Sequence, residues 1–116
     1  MRTTVLIVDD HAGFRASARR LLETEGYAVV AEAPDATSAL AMAAEHQPQL
    51  ALVDIQLPDF DGFELASRMA ALDHPPAVVL ISSRDRIELE PLIGDSEARG
   101  FLSKSVLSKQ ALEKLV

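Results

Sequence analysis

Short apolar runs alternate along this chain with stretches of helical spacing. Val5-Leu6-Ile7-Val8, Leu50-Ala51-Leu52-Val53 and Ala77-Val78-Val79-Leu80-Ile81 are almost continuously apolar. A strand covered on one face alternates apolar with polar residues; one covered on both does not. These runs therefore predict parallel strands buried inside a sheet. Tyr27-Ala28-Val29-Val30-Ala31 and Gly100-Phe101-Leu102 are weaker candidates for a second and a fifth strand.

Between the runs the spacing turns helical. Phe14, Ala18, Leu21 and Leu22 fall at i, i+4, i+7 and i+8, and Gly26 follows as a stop. An Ala-rich stretch from Ala36 to Glu45 begins after Asp35, a residue suited to cap a helix N-terminus. Gly62, Leu65, Ala66 and Met69 line one face of a third helix that ends before Pro75-Pro76. Pro91 and Gly94 interrupt the fourth connection, Ile87 to Ala98, which predicts a short or irregular helix there. A last helix, capped by Ser108, runs only about two turns against an average of ~11–12 residues. It stops on Leu115-Val116 without a Gly or Asn cap, so the natural protein is expected to continue beyond Val116.

Strand and helix in strict alternation imply an open parallel sheet with helices on both faces. In such α/β folds ligands sit at the carboxyl ends of the strands, near the point where the strand order reverses. Composition agrees with one domain: 116 residues, 48% hydrophobic but only 4% aromatic and no Trp, so Leu, Val, Ile and Ala must build the core. The net charge is −7, with 18 acids against 11 bases, which excludes phosphate-neutralising nucleic-acid binding by this segment and disfavours anionic membranes. The absence of cysteine excludes disulfides, thiolate metal sites and Cys nucleophiles. Nothing resembles a signal peptide and no apolar run approaches the ~18 residues of a membrane span, so a cytoplasmic location is the expectation.

The strand ends carry the chemistry. The first ends in Asp9-Asp10, the third in Asp54 and the fourth in Ser82-Ser83, while Lys104 lies just past the fifth. Three carboxylates gathered on one sheet edge repel one another by a few kcal/mol per close pair, at an effective dielectric of about 20. A divalent cation relieves that repulsion, and Mg²⁺ suits an all-oxygen site that leaves room for water and phosphate oxygens. With Lys104 and Ser82 alongside, the set favours a phosphoryl group on one nucleophilic carboxylate.

These residues, together with Leu57-Pro58-Asp59-Phe60-Asp61-Gly62 and Gly100-Phe101-Leu102-Ser103-Lys104, closely resemble the receiver domains of bacterial two-component response regulators. The resemblance covers essentially all of 1–116, and the spacings from Asp54 to Ser82 and to Lys104 agree with the family. It implies a flavodoxin-like (βα)5 fold with strand order 2-1-3-4-5. It further implies Asp54 as phosphoacceptor and Mg²⁺ held by Asp9, Asp10, Asp54 and the Gln56 backbone carbonyl. Lys104 and Ser82 would bind the phosphoryl group, Ser82 being favoured over Ser83 by spacing, and Phe101 would be an aromatic switch residue. Implied partners are a sensor histidine kinase or phosphotransfer protein and, after phosphorylation, a second copy of the chain. A C-terminal output domain, of the helix-turn-helix kind in one subgroup, is implied as well. The resemblance makes the domain a switch and not an enzyme, with only its own phosphorylation and dephosphorylation as chemistry.

Two positions and one segment depart from the family pattern. Ser105 stands where many members have proline, Glu97 where glycine is common, and Glu88-Leu89-Glu90-Pro91-Leu92-Ile93-Gly94 is an unusual fourth helix. A pseudo-receiver acting through protein contacts alone is the alternative these departures keep open. An aspartyl-phosphate phosphatase of the haloacid dehalogenase type fits poorly, because the first strand carries Asp9-Asp10-His11 instead of an Asp-x-Asp pattern. His11, His46 and His74 read as ordinary surface residues, His11 with a modest influence on the neighbouring acids. Asp10, just before the first helix, is placed to cap it as well.

Overall fold

The computed structural model describes residues 2–82 and 98–115. Five parallel strands form one sheet: β1 Thr4–Val8, β2 Ala28–Ala33, β3 Leu50–Asp54, β4 Ala77–Ser82 and β5 Gly100–Ser103, in the order β2-β1-β3-β4-β5. The expected fold class and strand order are both present. Helices α1 Ala12–Thr24, α2 Ala36–His46, α3 Gly62–Ala70 and α4 Lys109–Glu113 flank the sheet, and a 3-10 turn covers Lys104–Val106. The expected helix between Pro75-Pro76 and β5 falls on residues outside those described, Ala98 excepted, as do Ser83 and Glu97. No helix among the described residues is long and apolar enough to cross a membrane.

The unalternating strands are buried on both sides because their odd and even residues enter different cores. Leu6, Val8, Ala51, Val53, Val78 and Leu80 pack with Ala36, Ala39 and Ala43 of α2 and Leu65, Ala66 and Met69 of α3. Val5, Ile7, Leu50, Leu52, Val79 and Ile81 pack on the other face with Ala18 and Leu22 of α1 and Leu112 of α4. Leu21, expected on the buried face of α1, is 36% exposed. Burying a Leu or Ile side chain is worth roughly 1.5–3 kcal/mol, so the central strands hold the sheet together.

β2 reads weakly in the sequence because it is an edge. Its register against β1 shifts between Val5 and Leu6, and Glu32 sits opposite Ile7. Arg15 and Arg19 of α1 both pair with the Glu32 carboxylate. An acid with its cations on an edge strand also discourages pairing with another chain.

Local caps follow the sequence in two helices. Asp35 accepts a hydrogen bond from Ser38 N–H at 2.7 Å and Ser108 Oγ one from Ala111 N–H at 3.1 Å. At α1 the expectation for Asp10 is not met: the N-cap residue is His11 and no side chain caps the helix. The reason lies one residue earlier, where Asp9 Oδ1 bonds the His11 N–H at 2.8 Å and so turns the chain before the helix begins.

Candidate functional site

Strand register places the site. Residues Val5 to Val8 of β1 pair with Leu50 to Val53 of β3, so the residues that follow, Asp9 and Asp54, leave adjacent strands at the same sheet edge. Asp54 itself pairs with Ile81, which puts Ser82 one step further along β4, opposite Ser103 on β5. Lys104 follows directly. Four separated segments are thereby brought to one edge, on either side of the place where the strand order reverses between β1 and β3.

Asp9 is fully buried and Asp54 nearly so, whereas the Asp10 side chain is 42% exposed. Lys104 Nζ lies 2.6 Å from Asp9 Oδ2 and 3.3 Å from Asp54 Oδ2. The ammonium is thus the partner of the buried Asp9 Oδ2. Gln56 N–H donates to Asp54 Oδ1 at 3.2 Å, and so the loop after β3 folds back over the carboxylate. The Lys104 ammonium also sits 4.5 Å from the centre of the Phe14 ring on α1, a cation–π distance.

These contacts set the electrostatics. Burial pushes the Asp54 carboxyl up from its ordinary range and the Asp9 charge adds to that, against the lowering pull of the Gln56 N–H and Lys104. Lys104 is raised: burial alone would lower it, but its bond to Asp9 and the charges of Asp54 and Asp9 outweigh that. Three carboxylates face one ammonium, so the site keeps an excess of negative charge. One donor atom from each of Asp9, Asp10, His11 and Asp54 lies within 4.8 Å of the others, a spacing that suits a shared cation. The oxygen-rich donor set and the excess charge both fit Mg²⁺.

Asp9, Asp10, Asp54 and Lys104 are thus brought together as the sequence implies, with Gln56 beside Asp54. Ser82 is buried at the end of β4, next in line to Asp54. Phe101 is buried in the core cluster with Leu80 and Val78, the ordinary place for a strand phenylalanine. Ser105, at the position where the family often has proline, lies in the 3-10 turn with its hydroxyl 2.9 Å from that of Ser103.

His11, read in the sequence as a surface residue with a modest influence on the neighbouring acids, has Nδ1 3.2 Å from Asp9 Oδ1 and 3.1 Å from Asp10 Oδ1. Two further participants, Phe14 and Asp59, are not evident from the sequence. Phe14 looks like one more apolar position of α1. Asp59 accepts from Ala36 N–H, Thr37 N–H and the Thr37 hydroxyl at 2.7–2.9 Å, clamping the β3–α3 loop to the start of α2. No local pattern announces that contact.

Known proteins agree with this arrangement. The family model described as the response regulator receiver domain matches residues 5–116. The positive alginate biosynthesis regulatory protein of Pseudomonas aeruginosa is 34% identical over 113 residues, which is 96% of this chain and 45% of that protein. The transcriptional regulatory protein PdtaR of Mycobacterium tuberculosis is 40% identical over 86 residues, 72% of this chain and 42% of PdtaR. The solved signal receiver domain of NarL from Mycobacterium tuberculosis superposes with a TM-score of 0.87 at 31% identity, covering 98% of this chain and 96% of that one. The chain spans about half the length of the curated relatives it matches. With the sheet order, the acidic edge and these matches in agreement, the chain belongs to the response regulator receiver domains of two-component systems.

Proposed function

We propose that this domain accepts a phosphoryl group on Asp54 from a histidine kinase or phosphotransfer protein, in a reaction that needs Mg²⁺. The observation that carries this reading is the ion pairing of one ammonium with two buried carboxylates, Asp9 and Asp54, on the sheet edge where Asp10 and Ser82 also arrive. Asp54 is the nucleophile: its carboxylate lies between the Gln56 N–H and Lys104, which orient it. Asp9, Asp10, Asp54 and the Gln56 carbonyl would hold the ion, which when bound neutralises charge on the incoming phosphoryl oxygens. Lys104 Nζ stays within reach to balance the new charge after transfer. Ser82 is the hydroxyl that reports it, and Phe101, in the core behind it, follows.

The chemistry stops at the domain's own phosphorylation and its loss, and it operates in the cytoplasm. Several relatives of this domain are named as transcriptional regulators and are about twice its length, which supports an output domain; its helix-turn-helix type and phosphorylation-dependent pairing of two copies are what the family resemblance adds. An interaction-only pseudo-receiver gains no support from a complete acceptor set.

Titration with Mg²⁺ followed by beryllofluoride, a mimic of the acyl phosphate, tests the reading by amide NMR. The expected result is saturable shifts at Asp54, Ser82 and Lys104 that require Mg²⁺ and vanish in Asp54→Asn. Mg²⁺ binding without any beryllofluoride response would contradict the acceptor role.

A further inference from the structure

The Lys104 ammonium meets three partners among the described residues. Asp9 Oδ2 lies at 2.6 Å, Asp54 Oδ2 at 3.3 Å and the centre of the Phe14 ring at 4.5 Å. Ser105 and Val106, which follow Lys104 in its 3-10 turn, are exposed, so contacts at the tip of the side chain do most to place its charge. Phe14 is better anchored. It stands in the first turn of α1 and packs against the core cluster that holds Ile7, Ala18, Leu22 and Ile81.

The two carboxylates already have parts in the proposed reaction, Asp54 as nucleophile and Asp9 as ion ligand. Either part draws charge off the oxygen that Lys104 faces. The ring is neutral, and its face attracts a cation within about 6 Å of the centroid through its quadrupole. That attraction is the same before and after transfer. We propose that Phe14 is a positioning residue for phosphoryl uptake, its ring face keeping the Lys104 ammonium at the sheet edge while the carboxylates change charge. The inference rests on the acceptor reading of Asp54. It gives a side chain of α1 a share in a reaction otherwise carried by residues at the strand ends.

Uptake from acetyl phosphate at saturating Mg²⁺, followed by intact mass over time, tests this in chains carrying mono-, di- and trifluorophenylalanine at position 14 and in Phe14→Leu. Fluorine draws charge off the ring face and scarcely alters its shape. The rate is expected to fall stepwise along the series, by about two- to fivefold at the trifluoro ring, and at least as far in Phe14→Leu. The ε-methylene protons of Lys104, shielded by the ring face in wild type, should move downfield in Phe14→Leu. A flat series, a rate loss that appears only where the unfolding midpoint falls with it, or unmoved Lys104 protons overturns the inference while the acceptor reading stands. A wild-type chain that takes up no phosphoryl group overturns both.

Discussion

The Lys104 ammonium lies closer to Asp9 than to Asp54, 2.6 Å against 3.3 Å. Lys104 thus occupies a carboxylate of the proposed Mg²⁺ site, and the proposal predicts that the two compete. Removing the ammonium with Lys104→Ala should tighten Mg²⁺ binding by about three- to tenfold, a modest share of the roughly 4 kcal/mol between close unit charges at an effective dielectric of 20. Phosphoryl uptake should slow in the same variant. A Mg²⁺ titration that shows unchanged or weaker binding would count against the competition.

Asp54 carries a cost in the folded state. Its carboxyl is raised chiefly by burial, so the fold binds a proton there more tightly than the unfolded chain does. The sign follows: relative to the unfolded chain, stability is lost as pH rises from the ordinary carboxylate value of about 3.9 through the raised folded value. Asp54→Asn lacks that loss and should melt higher than wild type at pH 7, with the gap shrinking toward pH 4. Every 1 kcal/mol corresponds to roughly 4 °C in a domain of this size. Thermal unfolding across that pH range reads the difference.

Asp59 works in the opposite direction. The Thr37 hydroxyl and the N–H groups of Ala36, Thr37 and Phe60 hold its carboxyl far below the ordinary range. Its contribution is complete above about pH 3.9 and fades as pH falls below that toward the folded value. Asp59→Ala should lower Tm by several degrees at pH 7 and by less at pH 3, whereas Asp59→Asn, still an acceptor, should lose less at pH 7. Because the loop from Asp54 to Gly62 is anchored through Asp59, Asp59→Ala should also weaken Mg²⁺ binding.

Gly62 begins α3 against the backbone of Asp54. A Cβ there would stand 2.5 Å from the Asp54 carbonyl oxygen and 2.9 Å from Ile55 Cα, both backbone atoms that cannot swing aside. Gly62→Ala should cost about 1–3 kcal/mol of stability, the usual range for overpacking a tight site. It should also slow phosphorylation, since relief requires the end of β3 to shift. Denaturant unfolding beside a phosphorylation time course checks both.

Much of this was legible from residues alone, and the physics explains the boundary. Leu50 to Val53 and Ala77 to Ile81 read as central strands because burial on two faces leaves no place for polar residues. Asp9, Asp54 and Lys104 could be gathered because a parallel sheet sends all its carboxyl ends to one edge. Glu32 hid β2, since an edge strand tolerates a charge that α1 neutralises. The Asp10 cap failed because Asp9 bonds the His11 N–H first, a choice between two adjacent acids that spacing cannot make. The Phe14 ring under Lys104 and the Asp59 clamp on α2 join residues far apart in sequence, so only the folded chain reveals them.

The most direct test of the central claim is an intact-mass spectrum after incubation with acetyl phosphate and Mg²⁺, for wild type and Asp54→Asn. The expected result is one added phosphoryl group on wild type, abolished by EDTA and absent from Asp54→Asn. An adduct that persists in Asp54→Asn, or forms equally well in EDTA, would contradict the assignment of Asp54 as the Mg²⁺-dependent acceptor.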